Sequence, residues 1–407
     1  MKIIYLHQYF CPPDGAGGTR SYDLAKRFVE SGIAIEFITS SADYNFKPNQ
    51  RWAKIELDGI TYNILNLKYD NSMNSMQRMW AFYKFLWFGT FKCLKLKGDI
   101  VLATSTPLTI GIPALVNKIF KRTPYIFEVR DVWPEAVIAI GAINNKILQK
   151  ILFYLEFIIY KYSEKIVPLS TDMANSIINR YESFKDKIQV IENISELDRF
   201  NVDISNSTDI IKSKLGFKPR FSILYAGSFA KVNGIKYVID FAEKLIKIDT
   251  SIKFILIGFG AEKSNIIQLA KDKNLLNNNV YILEPVGKNQ LPNLYYNVNM
   301  GSSFVIPIKE LWANSANKFF DTLAAGRPML INYEGWQKKV INNSNIGYIL
   351  PPNLNELTEK KLKNFIDYTY DKELLNTQNT NSLNTAKSYS LEEASNKYIK
   401  IFNNIIS

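Results

Sequence analysis

Short, almost wholly apolar runs alternate with amphipathic segments along this chain. Lys2–Leu6, Ala34–Thr39, Ile100–Ala103, Tyr125–Val129 and Ile166–Pro168 read as strands buried on both faces, the pattern of a parallel sheet. Between them, helical spacing predicts a helix over Thr19–Ser31 closed by Gly32, one reaching Phe120, a long apolar one over Asn145–Ser163, and one starting at Thr171. Trp52–Leu67 predicts a hairpin turning at Asp58-Gly59, and Ile188–Ile191 ends this half. Around Glu192–Lys218 the composition turns polar, most strongly over Asn201–Asp209, where an interdomain linker is expected. A second alternating set follows. Its strands are Phe221–Ala226, Ile252–Ile257, Tyr281–Leu283, Met300–Val305 and Met329–Ile331. Its helices cover Ile235–Lys247, Asn317–Ala325, Asn355–Thr369 and Glu392–Ile406. Two rounds of strand–helix alternation predict two doubly wound α/β domains facing one cleft, and 407 residues are too many for a single ordinary core.

Charge adds more than composition does. With 47% hydrophobic and 22% charged residues the chain is globular, but its net charge of +12 points to a polyanionic partner: nucleic acid, phosphates or an anionic membrane surface. Two cysteines, Cys11 and Cys93, make no disulfide framework, which fits a reducing cytoplasm. The single histidine, His7, excludes a His-rich metal site and leaves no evident Ser-His-Asp triad. Ile3–Leu6 is too short for a signal peptide, and no uncharged apolar span reaches the roughly 18 residues needed to cross a bilayer.

Candidate chemistry gathers at three places. In Ala313–Pro328 the polar residues collect at the start of the predicted helix, where free N–H groups and the helix dipole suit an anion. Asn314 or Ser315 would cap that helix, Gly326 would stop it, and Asp321, one turn in, would accept hydrogen bonds from a pair of ligand hydroxyls. A capped core helix with one solvated Asp is an equally good reading of these residues alone. Gly15–Gly18 follows the first strand and suits close approach by a phosphate or sugar, though a flexible turn fits too and G-x-G-x-x-G is not matched. Arg130–Glu135 leaves a strand at its carboxyl end, where open α/β sheets bind ligands.

Met76–Lys97 contains no acidic residue and mixes Trp80, Phe82, Tyr83, Phe85, Trp87, Phe88 and Phe91 with Arg78, Lys84, Lys92, Lys95 and Lys97. On a helical wheel Arg78, Lys84, Lys92 and Lys95 share a side with Phe85 and Phe88, the pattern of a helix lying on an anionic membrane. A buried helix with snorkelling lysines is the competing reading, and stacking on single-stranded nucleic acid a third; no nucleic-acid fold motif accompanies it.

Five motifs together carry a resemblance: His7–Tyr22, Ala103–Thr109, Val129–Glu135, Tyr225–Lys231 and Asn314–Pro328. In this order they resemble the retaining GT-B glycosyltransferases of family 4, in the branch of WbuB-like N-acetylfucosaminyl transferases that build O-antigen and capsule. The resemblance implies an acceptor-binding Rossmann-like domain over residues 1–200, a donor-binding one over 201–388 and a C-terminal helix, 389–407, returning to the first domain. It implies that Gly17 and Gly18 lie over the donor diphosphate, with Gly227, Ser228, Asn314, Ser315, Asn317 and Lys318 around the phosphates and sugar. Ser228 and Asn233 stand where the family has an Arg and a Lys on the diphosphate, and Lys231 is the replacement it suggests. Asp321 would hold the ribose, and Glu284–Val286 would face the base. The first Glu of the family's E-x7-E aligns with Ala313, with Glu310 nearby but out of register. Arg130 stands where many relatives have a His near the donor sugar, and Asp131 would orient the acceptor hydroxyl; His7 is assigned a structural role. Arg130, Asp131, Lys231 and Asp321 are the catalytic set.

No D-x-D triplet occurs, so no metal is expected on the diphosphate and no cofactor is implied; Lys231, Lys318 and helix N-termini would stabilise the leaving group. The implied partners are a UDP-linked or similar sugar donor and a polyprenyl-diphosphate-linked saccharide. The protein would sit peripherally on the inner face of the cytoplasmic membrane through Lys84, Trp87, Phe88, Lys92 and Lys95, with no nucleic acid bound. Two other readings are a GT-B sugar-nucleotide 2-epimerase, which the single histidine disfavours, and a non-enzymatic two-domain sugar-binding protein, for which no secretion signal is seen.

Overall fold

The computed structural model describes residues 1–9, 19–41, 44, 46–47, 49–67, 73, 75–202 and 209–407. Cys11, the glycine loop with Gly17 and Gly18, and most of the polar run before Asp209 lie outside the described residues.

The first sheet holds β1 (Lys2–Tyr9), β2 (Ala34–Ser41), β3 (Trp52–Leu57), β4 (Ile60–Asn66), β5 (Ile100–Thr104), β6 (Tyr125–Val129) and β7 (Lys165–Pro168), in the order β3-β4-β2-β1-β5-β6-β7. All neighbours are parallel except the hairpin β3–β4. That hairpin turns at Asp58 and Gly59, both with positive φ (50° and 74°), as a two-residue turn matched to strand twist requires. Ile188–Ile191 is not a full strand. It runs along β7, Gln189 N–H bonding the Ile166 carbonyl at 2.9 Å, and then leaves for the second half.

The second sheet is wholly parallel: β8 (Phe221–Ala226), β9 (Ile252–Ile257), β10 (Val280–Leu283), β11 (Met300–Ser303), β12 (Met329–Ile331) and β13 (Gly347–Ile349), ordered β10-β9-β8-β11-β12-β13. Helices cover both faces of each sheet, so its central strands are buried at every position, as in β5 and β6.

The chain passes between the halves twice, and the two passages touch: Ser195 N–H bonds the Tyr389 carbonyl at 2.8 Å. After the second passage the helix Leu391–Ile406 packs on Arg20–Glu30, with Tyr398 and Phe402 edge-on to Phe28. Further ties cross the cleft. Ser170 Oγ donates to the Ala313 carbonyl (2.7 Å), and the Trp336 N–H donates to Asp172 (2.6 Å).

Candidate active site

β1, β5 and β6 are neighbours, so His7, the Thr104–Pro107 loop and Arg130-Asp131 meet at their carboxyl ends. The Arg130 N–H donates to Ser105 Oγ (2.9 Å), Thr106 Oγ1 donates to Asp131 Oδ2 (2.9 Å), and the Arg130 guanidinium lies 3.4 Å from His7 Nε2. Burial, then the Arg130 cation, push the His7 pKa down to about 3. His7 is therefore a neutral imidazole that orients Arg130 and does not act as a base at neutral pH. Asp131 opens onto the cleft; enclosure by protein pushes its carboxyl above the ordinary range, against Thr106 and Arg130.

Beneath this group Glu128 is fully buried. The Arg20 guanidinium pairs with its Oε2 at 3.2 Å, Thr104 Oγ1 donates to Oε1 at 2.6 Å, and the Tyr398 hydroxyl donates to Oε2. Burial pushes Glu128 up, but Arg20, Arg130 and these hydrogen bonds outweigh it and leave its pKa lowered.

On the other side of the cleft, the loops that follow β8 and β9 touch backbone to backbone: the Phe229 N–H bonds the Phe259 carbonyl at 2.8 Å. A Cβ on Gly258 would lie 1.8 Å from the Gly227 carbonyl oxygen, and one on Gly260 2.7 Å from the Phe229 backbone, so only glycine fits either place. The Lys318 side chain reaches across to Gly227, where a Cβ would come within 3.0 Å of Lys318 Cε, and its ammonium lies 4.8 Å over the Tyr225 ring. Burial pulls Lys318 down to about 8, with Asp321 opposing.

Lys318 belongs to the helix Asn317–Ala324, whose start differs from the sequence expectation. Its N-cap is Ala316, with no side-chain cap, so neither Asn314 nor Ser315 caps it. Asn193 of the first passage donates to the Ser315 carbonyl (3.1 Å) and to Asn317 Oδ1, fixing this end against the first half. Ser315 Oγ is buried and without a partner among the described residues. Uncapped amides, an unsatisfied hydroxyl and a half-buried lysine together suit an anion.

Asp321 lies one turn further, 9% exposed. Burial and the nearby Glu196 and Asp23 push its pKa up to about 7, against Lys288 and Arg199. These neighbours form a bridge across the cleft that no sequence signal disclosed. Buried Lys288, between β10 and β11, pairs with Glu196 at 2.5 Å and donates to Thr19, which donates to Asp23 at 2.5 Å; Arg199 also pairs with Glu196. Lys288 and Thr19 are 269 residues apart, so no local spacing could have joined them.

The structure thus brings Gly227, Ser228, Asn314, Ser315, Asn317, Lys318 and Asp321 together. Lys231 stands exposed on the loop between Ser228 and Asn233, whose side chain donates to the Ser228 carbonyl at 2.7 Å. Glu284 and Val286 follow the edge strand β10; Glu284 is exposed and pairs with Lys263 at 2.9 Å, while Val286 is half-buried. Ala313 is buried, and Glu310 lines a pocket of about 430 Å³ between the halves with Val132, Glu135, Asp172, Arg180 and Trp312.

On the helix Ser75–Lys95 the exposed and buried faces depart from the wheel. Phe85 is buried in the core, Phe88 lies under the Arg51 guanidinium (4.5 Å), and half-buried Lys92 sits over Trp52 (5.2 Å). The exposed stripe is Met76, Met79, Trp80, Tyr83, Trp87 and Phe91, flanked by Lys84 and Lys95. The side chain of Arg78 lies outside the described residues.

Residues 207–381 match the family model described as "Glycosyl transferases group 1". A search among curated proteins found no match. Three solved structures align with nearly the whole chain. Sucrose-phosphate synthase from Thermosynechococcus elongatus gives a TM-score of 0.76 at 14% identity, covering 99% of this chain and 98% of that one. Anabaena Alr3699/HepE, solved with UDP and glucose, gives 0.72 at 15%, covering 99% and 100%. WaaG, a glycosyltransferase involved in lipopolysaccharide biosynthesis, gives 0.68 at 13%, covering 98% and 99%. At these identities the likeness establishes the fold, which is the two-domain GT-B architecture.

Proposed function

We propose that this chain, which carries a glycosyl transferases group 1 domain over residues 207–381, is a retaining, metal-independent glycosyltransferase of family 4. It moves a sugar, such as a 6-deoxy-N-acetylhexosamine of the N-acetylfucosamine kind, from a UDP-linked donor to a polyprenyl-diphosphate-linked saccharide. The setting is surface-polysaccharide synthesis of the O-antigen or capsule type, on the inner face of the cytoplasmic membrane. The first half, residues 1–200, takes the acceptor; residues 201–388 take the donor, and residues 389–407 return to brace the first half.

The observation that carries this reading is the uncapped start of the helix Asn317–Ala324, with Lys318 beside Gly227 and Asp321 one turn away. An anion between Gly227 and that helix start would meet Lys318 and free amides, and a ribose beyond it would offer two hydroxyls to Asp321. Support for a nucleotide sugar comes from the UDP and glucose bound by the Anabaena structure, and for the pathway from WaaG. As the bond from the sugar's anomeric carbon to the diphosphate breaks, charge grows on the leaving oxygens, where Lys318, Lys231 and the helix amides stabilise it. The acceptor hydroxyl, oriented by Asp131, attacks the same face and gives its proton to a donor phosphate oxygen. In this reading Arg130, held by His7 and Ser105, contacts the transferred sugar. The test is transfer of label from a nucleotide sugar into butanol-extractable lipid. A thermal-shift screen of UDP, GDP and dTDP identifies the base. No label in lipid with any donor overturns the reading.

The two shifted groups predict a pH profile. Asp321, with a pKa of about 7, accepts hydroxyl hydrogen bonds only when ionised, so nucleotide affinity should fall as pH drops below 7. Lys318, at about 8, is a cation only below that value, so affinity should fall again above it. Calorimetric titration with UDP should therefore give a bell-shaped affinity with its maximum between these values. Lys318→Met should flatten the alkaline limb and leave the acid limb; an unchanged profile would remove Lys318 from the phosphate.

A further inference from the structure

Three helices, Ser75–Lys95, Gly111–Lys121 and Lys146–Tyr162, lie side by side over one face of the first sheet, their inner sides packed on Ile4, Val101, Phe127 and Ile166. They hold four, two and three basic residues respectively. Their only acidic residue is Glu156, which is fully buried and pairs with Arg180 at 3.1 Å. Nine minus one gives +8 of the chain's net +12, so the charge surplus is concentrated in this layer.

The layer is also apolar on the outside. On Lys146–Tyr162, Ile147 is 71% exposed, Ile151 57% and Tyr154 67%, at the i, i+4, i+7 spacing of one helix face, with Lys146 and Lys150 exposed beside them. On Ser75–Lys95, Met76 is 74% exposed and Trp80 57%. A helix in such a layer starts at the carboxyl edge of the strand before it, and those edges line the cleft. The first turns of both helices therefore lie on the cleft side, and the exposed aliphatic residues are densest there. Exposed Ile140 continues the apolar path back towards Arg130 and Asp131.

We infer that the helix Lys146–Tyr162 is a second membrane-docking element, acting with Ser75–Lys95, and that an anionic bilayer surface is its occupant. This rests on the lipid-linked acceptor reading. The two stripes set the molecule on the bilayer with the mouth of the cleft beside the headgroups, where a polyprenyl diphosphate presents its saccharide. Net positive charge with exposed Ile, Met and Trp matches negative headgroups above hydrocarbon. A second copy of this chain would bring a like-charged face to a self-complementary contact. Nucleic acid would gain from Trp80 and Lys84 but offers no hydrocarbon to Ile147 and Ile151. No helix among the described residues is long and apolar enough to cross the bilayer, so the contact lies on its surface.

The test is sedimentation of the full chain with vesicles of phosphatidylcholine, alone or mixed with phosphatidylglycerol. Wild type should pellet with the anionic vesicles, less so as salt rises. Combining Ile147→Ser, Ile151→Ser and Tyr154→Ser should weaken that binding by about tenfold or more. The three side chains are exposed, so circular dichroism and the UDP thermal shift should stay as in wild type. A triple variant that pellets as well as wild type overturns the inference. So does a wild-type protein that prefers single-stranded oligonucleotide to vesicles, or one that forms a dimer which the triple variant breaks. The transfer assay keeps the two readings apart: label moved to a water-soluble acceptor analogue without vesicle binding sinks the docking surface alone, and vesicle binding without transfer to any acceptor sinks the glycosyltransferase reading.

Discussion

Asp321→Asn will melt several degrees higher than the wild-type protein without ligand at mildly alkaline pH, and it will bind UDP far more weakly. The two effects have one cause. The folded structure raises the Asp321 pKa from 3.8 to about 7. Between those values the folded protein holds a proton that the unfolded chain has lost. Stability therefore falls as pH rises through that window, and above it the ionised carboxylate is a net burden. Each tenfold change in proton affinity corresponds to roughly 1.4 kcal/mol, which puts the burden on the order of 2–4 kcal/mol. Asn has the same shape and no charge, so the gain in melting temperature should shrink as pH is lowered below 7. In exchange, the variant loses two hydrogen bonds to a charged acceptor, about 2–4 kcal/mol of nucleotide affinity, or thirtyfold to a thousandfold. A variant that is no more stable would show that the ionised carboxylate carries no folding cost, and one that binds UDP as wild type does would remove Asp321 from the ribose. The wild-type residue is thus kept in spite of its local cost, as binding sites commonly require.

How far the sequence discloses this molecule depends on which signal each part leaves. Periodicity located most strands of both sheets because buried parallel strands are largely apolar on both faces, and Asp58-Gly59 marked its own turn, where both residues take positive φ. The helix Lys372–Lys387 left no such signal. Its inward residues are Gln378, Ser382 and Ala386, so it has no apolar stripe, and it packs on Asn317–Ala324 with hydrogen bonds doing part of the holding, such as Gln378 to Asn345 (3.0 Å). β13 is three residues long, too short for a period. On Ser75–Lys95 aromatic residues surround the axis, so the wheel could not tell which side meets the core; contact with Trp52 and Arg51 decided that Phe88 and Lys92 turn inward. At the site, the helix Asn317–Ala324 and Asp321 were legible from the polar cluster before an amphipathic run. The Lys288–Glu196–Thr19 bridge was not, because ion pairs between distant segments are written only in the fold.

Glu128→Ala will destabilise the protein by about 3–5 kcal/mol, because it leaves the buried Arg20 cation without its partner. Three pieces of chain converge on that carboxylate, the first helix through Arg20, β5 through Thr104 and the returning C-terminal helix through Tyr398, and a fourth, the first passage between the halves, holds Arg20 itself, since the Glu192 carbonyl accepts from it at 2.6 Å. Since the Glu128 pKa is lowered in the folded state, its contribution is complete above its unfolded value and is lost as pH falls through the folded one. Chemical unfolding of Glu128→Ala and wild type should therefore differ most at neutral pH and converge in acid. Tyr398→Phe removes one hydrogen bond to the carboxylate and should lose about 1–3 kcal/mol. Removing both charges together, as Arg20→Met with Glu128→Leu, should recover much of the loss, since the residual cost of the single change is an unpaired buried ion and the double variant has none. Glu128 adjoins Val129 and Arg130, so the single variant should also weaken transfer more than UDP binding, which depends on the other half. A double variant no more stable than Glu128→Ala, or additive losses around the cycle, would show that Arg20 and Glu128 do not act as a pair.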